Sequence, residues 1–414
     1  MLVHAYYEED ARVRRQAEAL VAAGRPVDVF ALRRPGQVER ATIDGVEVYR
    51  LPVQRHQGAG AARYLGEYLA FASRAGWAVT RAHRRRRYAV LEVHTLPDFL
   101  ALAGLPIKLR GVPLLLDLHE AMPEFFRIRF AGIANPVSHR LLRAQESVAT
   151  HVATRILTVN AALRDRLVDL GVPPGKVDVI LNTPSTTLFD PGRVAPRDFM
   201  ADGRLRLIYS GALTPVYELD VVLRAVEALC AMRPDMDVRL AIYGRGDAGG
   251  PLRALAAELR IEDRVLFGGR IPLEDVPAAV AAADIGLAPT RRDRFTEMSL
   301  STKLFEYAAM NKPVVASRLP TVEHYLGGAV TTYESGDPGS LAAAIVGLVD
   351  DPTAREASVA AMRARIADLG WDRQAAAYVS IVESIAADGL SSTATLATRH
   401  AVDEPAAGTD PEES

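Results

Sequence analysis

The chain has 414 residues, 49% of them hydrophobic and 24% charged, with a formal net charge of −2 and one cysteine, Cys230. That length exceeds the ~100–200 residues of an ordinary domain, so two or three domains are expected around sizeable cores. The balanced charge argues against a nucleic-acid partner, a lone cysteine excludes an intramolecular disulfide and fits a reducing compartment, and no uncharged apolar run reaches the ~18–20 residues of a transmembrane helix. The first residues carry no apolar leader segment, so a cytoplasmic protein is expected.

Along the chain, short apolar runs alternate with longer stretches of helical period, the pattern of parallel sheets covered by helices. The first series places strands at 2–6, 27–32, 89–94, 113–119, 155–159 and 177–181, with helices at 11–23, 61–84, 99–108, 138–152 and 161–170. Residues 42–51 read as a small strand pair turning at Asp44-Gly45. From 190 to 204 proline, glycine and mixed charge interrupt the pattern and mark a linker. A second series follows, with strands at 206–210, 238–243, 264–267, 285–288, 313–316 and 329–332. Its helices fall at 219–232, 252–259, 273–283, 302–310, 341–349 and 354–368. The resulting division is a first domain over 1–190, a linker over 191–204, a second domain over 205–372, a terminal helix over 373–388 and a disordered tail over 389–414, rich in Ser, Thr, Ala, Pro and acids. The fold class is α/β, two doubly wound, Rossmann-like domains. Ligands of such sheets bind at the carboxyl ends of the strands, and a cleft between two facing domains is a favoured ligand site.

The stretch SLSTKLFEYAAMNKPVVAS, 299–317, concentrates the chemistry. Ser299, Ser301 and Thr302 surround a helix start, where several backbone N–H groups lack intrahelical partners. Those donors and the helix dipole suit a phosphate or carboxylate. Lys303 adds a cation on a first turn that ordinarily prefers acids, and it is one of only four lysines in a chain whose other basic residues are arginine. Glu306 lies one turn beyond Thr302, where a carboxylate is able to accept both hydroxyls of a ribose. Anion plus diol suggests a nucleotide. The plainer alternative is a capped helix with a solvated Lys303–Glu306 pair.

The stretch resembles the donor-binding segment of retaining GT-B-fold glycosyltransferases of the family 4 type. Glu306 matches the second Glu of their Glu-x7-Glu motif, and NKPVVAS, 311–317, matches the strand that follows. In matching order, IYSGAL (208–213), YGRG (243–246), VLFGGRI (265–271) and DIGLAP (284–289) resemble the family's donor-domain segments. Residues 157–160, 179–182 and 189–191 resemble first-domain segments, so the likeness covers roughly 1–386. It departs at three places. The first motif Glu falls on Met298, beside Glu297, and the usual diphosphate cations are replaced by Ala212 and by Tyr217-Glu218. The resemblance implies two domains facing across a cleft, with Gly211, Thr214, Arg270, Ser299, Ser301, Thr302, Lys303 and Glu306 on the donor. Lys303 and the N–H groups at Ser301–Thr302 then carry most of the diphosphate charge.

In the first domain, LLLDLHEAMPE (114–124) brings His119 and Glu120 to a strand's carboxyl end, and LEVHTLPD (91–98) does the same for His94 and Asp98. The resemblance implies that His119 contacts the donor sugar as a catalytic residue with Lys303. It also implies that Asp10, Arg12, His94 and Glu120 serve the acceptor. For three of them a plainer role stands beside this one: His119 as a wall residue held by Asp117, Asp10 as a helix cap, and His94 at the cap of the next helix. No Asp-x-Asp metal motif sits at a strand end, so no metal or cofactor is expected. The implied reaction is front-face transfer of a sugar from a nucleotide-diphosphate-sugar to a carbohydrate or lipid-linked acceptor, with retention, in surface polysaccharide or glycoconjugate synthesis. A sugar-nucleotide 2-epimerase and a catalytically silent scaffold are the competing readings. Tyr64–Tyr88 combines aromatic and aliphatic residues with the run Arg84–Arg87. It suits either an anionic membrane surface at the inner face of the plasma membrane or a helix packed on the sheet with a solvated basic end.

Overall fold

The computed structural model describes residues 1–54, 61–129, 134–195 and 197–402. The chain divides into two compact units. The first comprises Met1–Thr158, Arg164–Ile180 and the chain from Ala375 onward; the second comprises Val159–Leu163 and Leu181–Gln374.

Unit 1 contains β1 (Asp28–Leu32), β2 (Arg40–Ile43), β3 (Val46–Leu51), β4 (Leu91–His94), β5 (Leu114–Leu118), β6 (Arg155–Thr158) and β7 (Val177–Val179). They form two runs of pairing, β1-β3-β2 and β4-β5-β6-β7. The expected strand at 2–6 is reduced to bridges from Leu2 to Phe30 and Val93, both parallel. These bridges join the two runs: Leu2 N–H donates to the Glu92 carbonyl, and His94 N–H donates back to Leu2. β2 and β3 pair antiparallel, and Asp44 and Gly45 turn between them at φ 49° and 80°. Two successive positive φ values define the turn type that matches strand twist, which is why Asp-Gly marks it. The strands β1, β4 and β5 are buried along their whole length, as parallel strands covered on both faces must be.

Unit 2 contains β8 (Arg204–Ser210), β9 (Asp237–Tyr243), β10 (Val265–Gly269), β11 (Ile285–Ala288), β12 (Val314–Ser317) and β13 (Thr331–Tyr333). All pairs are parallel, in the order β10-β9-β8-β11-β12-β13. The order reverses between β8 and β11, so the loops after β8 and β11 diverge and leave a ligand crevice at the carboxyl edge. Gly286 on β11 has no room for a side chain: a Cβ there would stand 2.3 Å from the Tyr307 ring. That contact, with Ser210 N–H donating to the Tyr307 hydroxyl at 3.0 Å, pins the helix Thr302–Ala309 to the sheet.

The last helix corrects the expected tail. It runs Trp371–Val402, so 389–402 are helical rather than disordered, while 403–414 lie outside the described residues. Gly389, read as the start of the tail, lies within this helix and packs against Pro113, where a Cβ would meet Cδ at 2.9 Å. No proline follows until Pro405. The helix is bound to unit 1 by a hydrogen bond from the buried Tyr378 hydroxyl to Glu92 Oε2 at 2.5 Å, and by Arg25 on Glu383. Two helices went unpredicted, Met122–Arg129 and Pro320–Leu326, and the stretch expected as one helix at 99–108 is a 3-10 segment, Asp98–Gly104, followed by one α-turn, Leu105–Lys108.

Candidate functional site

The carboxyl edge of the unit 2 sheet is a set of glycine-dependent crossings. Gly211 ends β8 at φ 156° and Gly244 ends β9 at φ 146°; a Cβ on Gly244 would lie 1.7 Å from the Gly211 carbonyl oxygen. The loops are laced by N–H donors from Gly211 to Tyr243, Leu213 to Arg245 and Gly244 to Gly269. A Cβ on Gly211 would stand 2.3 Å from Lys303 Cε, so the backbone there lies directly against the lysine. Lys303 is buried, and its ammonium sits 4.0 Å from the Tyr217 ring centroid and 5.1 Å from that of Tyr209. The two rings hold the cation on their negative faces, and no carboxylate pairs with it among the described residues.

Ser301 is the N-cap of Thr302–Ala309 in extended conformation, and its side chain makes no capping bond. The first-turn N–H groups therefore lack the hydroxyl that usually satisfies one of them. The approach to this cap is fixed from several directions. Asn160 Nδ2 donates to the Met298 carbonyl at 2.7 Å, and Thr321 Oγ1 donates to that of Ser299 at 2.5 Å. Ser299 Oγ turns back to Phe295 O at 3.3 Å. Glu306, half-buried, follows Thr302 by one turn, ~6 Å along the axis. Gly211, Ser299, Ser301, Thr302, Lys303 and Glu306 thus belong to one edge of one unit. Thr214 is half-buried in the loop after β8, and Arg270 is exposed just past β10. Glu297, the neighbour of Met298, takes Arg292 Nε at 2.8 Å.

In unit 1 the β5 carboxylate Asp117 is fully buried and accepts five hydrogen bonds. Arg12 supplies two at 2.8 Å; Gln16, His94 and His119 supply one each at 3.0, 3.3 and 3.2 Å. Burial alone would raise its pKa, but the Arg12 guanidinium, then His119, hold it well below the ordinary carboxylate range. A carboxylate only accepts, so His119 Nε2 carries the proton, and in the neutral ring Nδ1 is the open acceptor. The His119 side chain is 20% exposed, enough for that edge to be reached, whereas His94 is fully buried. Glu120, half-buried, has its pKa raised by burial against the opposing charge of His119. His94, Asp117 and His119 bring one ligand atom each within 4.8 Å of one another, the spacing of a metal set. Yet both histidines aim donor nitrogens at a carboxylate already held by Arg12, so a cation would have to break that fork.

Asp10 accepts from Val13 N–H at 3.1 Å as the N-cap of Ala11–Ala22, and Arg12, 5% exposed, is turned onto Asp117 and the Ile180 carbonyl. Asp10 takes the plainer role open to it in the sequence, and Arg12 is engaged by Asp117 and Ile180. Sequence reasoning missed three contributors. Tyr209 lies in the IYSGAL segment and Tyr217 at the place of an absent cation, but nothing in the sequence marks either as a partner of Lys303. Glu218, read only as the place of an absent cation, is a buried hub that accepts from Tyr333 OH, Ser335 Oγ, Gly336 N and Ser317 Oγ at 2.8–3.1 Å. It ties the loop after β8 to the ends of β12 and β13.

Two doubly wound domains, one with a buried cation and an uncapped helix start at its carboxyl edge, define an α/β protein of two Rossmann-like domains. Residues 10–183 match the family model of the glycosyl transferase 4-like domain, and residues 204–351 match that of glycosyl transferases group 1. The chain is 28% identical over 287 residues to a D-inositol 3-phosphate glycosyltransferase of Thermobispora bispora, covering 66% of this chain and 65% of that protein. It is 28% identical over 385 residues to the protein of that name from Thermomonospora curvata, covering 86% and 85%. Among solved structures, sucrose-phosphate synthase from Thermosynechococcus elongatus superposes with TM-score 0.73 at 18% identity, covering 94% of this chain and 98% of that one. Anabaena HepE in complex with UDP and glucose gives TM-score 0.63 at 17% identity, covering 94% and 98%. The chain belongs to the GT-B glycosyltransferases of the family 4 type.

Proposed function

We propose that this glycosyltransferase moves a sugar, with retention, from a nucleoside-diphosphate-sugar bound at the carboxyl edge of unit 2 to a hydroxyl of a phosphorylated polyol, a carbohydrate or a lipid-linked sugar. The observation that carries this reading is Lys303: a buried ammonium set between two tyrosine rings, without a carboxylate, beside an uncapped helix N-terminus. Such a cation is best satisfied by an anion, and the diphosphate of a leaving nucleotide is that anion. Preorganised charge of this kind stabilises the leaving group and is commonly the largest single contribution to catalysis. Glu306 takes the ribose hydroxyls, and His119, oriented by Asp117, contacts the sugar. The UDP complex of the Anabaena relative supports a nucleotide donor, and the names of the inositol-phosphate relatives favour a phosphorylated polyol as acceptor.

In this reading the helix Ala61–Arg86 meets an anionic membrane. Its buried face is Phe71, Ala75 and Val79, and the opposite stripe leaves Leu65, Leu69 and Trp77 51–66% exposed. Arg81 lies over the Trp77 ring, and Arg74, Arg81 and Arg85 line a hollow of about 960 Å³ beside it. An apolar stripe flanked by arginines suits a headgroup layer. No helix among the described residues is long and apolar enough to cross a membrane.

Incubation with UDP-, GDP- and dTDP-sugars, with and without inositol phosphate, tests the assignment. Nucleotide release that accelerates with acceptor and yields an α-configured product from an α-linked donor is expected. Sugar interconversion without release, or no turnover with any donor, overturns it.

A further inference from the structure

A second cationic hollow, of about 350 Å³, opens at the opposite, amino-terminal edge of the unit 2 sheet. Its floor is Asp284 and Pro313, which immediately precede β11 and β12, and its wall is the helix Pro352–Leu369. The donor residues lie at the carboxyl ends of the strands, so this hollow is separate from them.

Its charges do not balance. Asp284 is buried and already taken: Arg197 Nη1, Met200 N and Arg206 N donate to it at 2.6, 2.9 and 2.8 Å. Arg197 also pairs with Asp202. That leaves Lys312, Arg355 and Arg363 around the space, and none has a carboxylate partner among the described residues. Arg355 is braced on the Phe199 ring at 3.8 Å and on the Leu348 carbonyl at 2.7 Å. Arg363 Nε donates to Asn311 Oδ1 at 2.6 Å, and Asn311 holds a left-handed backbone, φ 57°, that presents Lys312 to the hollow. The Lys312 ammonium makes no hydrogen bond or ion pair among the described residues. Burial disfavours its charge, Asp284 opposes that and Arg197 adds to it. The one remaining acid, Glu356, is exposed and pairs with none of the three.

The geometry points to a binding site for a compact dianion, inorganic phosphate or a phosphate monoester, held by Lys312, Arg355 and Arg363. Three cations of two hydrogen-bonding types, two of them braced by protein partners, surround the hollow and suit the acceptor oxygens of a phosphate. The hollow lies at the sheet edge opposite the donor residues, so the ligand is an effector rather than a second donor. Thr302–Ala309 begins at the donor edge and delivers the chain to Asn311 and Lys312, a span of ~12 Å. An anion that clamps Lys312 to Arg363 therefore acts on the helix whose first turn faces the donor.

The test is calorimetric titration with inorganic phosphate at constant ionic strength, on wild type, Lys312→Met, Arg363→Gln and Lys303→Met. Saturable binding is expected in wild type and in Lys303→Met, with affinity at least tenfold lower in Lys312→Met and Arg363→Gln. Arg363 is exposed, so its variant reports even if Lys312→Met folds poorly. Thermal scans give an independent readout: without phosphate, Lys312→Met melts at or above wild type, because an uncompensated charge has been removed. Binding lost only in Lys303→Met, or equal in all four proteins, or absent from wild type, overturns the site.

Discussion

Two ionisable residues are buried against their ordinary preferences. Lys303 is buried against the Tyr209 and Tyr217 rings, and Gly211 is the reason it fits. Gly211→Ala is expected to displace the lysine chain, since its new Cβ would overlap Cε, and to strain a backbone at φ 156°. Steady-state kinetics should show a loss in kcat/KM for donor of about 10²-fold, comparable to removing one donor that stabilises a transition-state charge. Asp98 is the second case. It is fully buried, neither oxygen has a hydrogen-bond partner among the described residues, and burial, with Glu146 adding and Arg166 opposing, pushes its pKa up to about 8. The folded protein thus keeps a proton that the unfolded chain releases near pH ~3.9. Stability from this group is full below that pH and is lost progressively as pH rises toward 8. Asp98→Asn, neutral throughout, should melt like wild type at pH 4 and be more stable by roughly 5 kcal/mol at pH 8, as urea titrations at the two pH values will show. The positions of His119 just past a strand end and Lys303 at a helix start were legible because the period of the flanking residues marks those ends. Glu218 was not, because a buried hub is defined by partners from Ser317 to Gly336 that only the fold assembles.

At the scale of elements, period and turn chemistry recovered most of both sheets, down to the Asp44-Gly45 hairpin. What failed did so for physical reasons. Residues 2–6 carry apolar strand letters, but Leu2 alone has regular bridge geometry on both sides. The helix Met122–Arg129 is short and follows a strand without a clear capping signal, so its pattern is too brief to stand out. The terminal helix passes through Gly389, where Pro113 fills the space a side chain would need. That helix returns to unit 1 through the buried pair Tyr378–Glu92. Tyr378→Phe leaves the Glu92 oxygen without its donor, and chemical unfolding should show a loss of about 1–3 kcal/mol. A change under 0.3 kcal/mol would mean that apolar packing alone seats the helix.

For the whole molecule, each unit has its own doubly wound sheet and its own carboxyl edge, and the chain crosses between them around 159–181 and again at 375. The fold class was readable because two series of alternating strands and helices flank a lapse near 190–204, yet the return of the last helix to the first unit has no signal in local pattern. Trp77, Leu65 and Leu69 give the molecule an apolar stripe on a basic face. Cosedimentation with vesicles containing anionic lipid should capture wild type, with release in high salt, and a Trp77→Glu, Arg81→Glu variant should bind at least tenfold more weakly while retaining donor turnover. Equal binding to neutral vesicles would contradict the electrostatic part of that assignment.

The central claim is that unit 2 binds a nucleoside diphosphate at the start of Thr302–Ala309, with Lys303 on the phosphates and Glu306 on the ribose. Calorimetric titration of UDP, GDP and dTDP into wild type, Lys303→Met and Glu306→Gln measures it most directly. One nucleotide should bind wild type in a saturable manner, and both variants should lose at least tenfold in affinity while keeping wild-type melting temperatures within a few degrees. Wild-type affinity in both variants, with the fold intact, would contradict the claim.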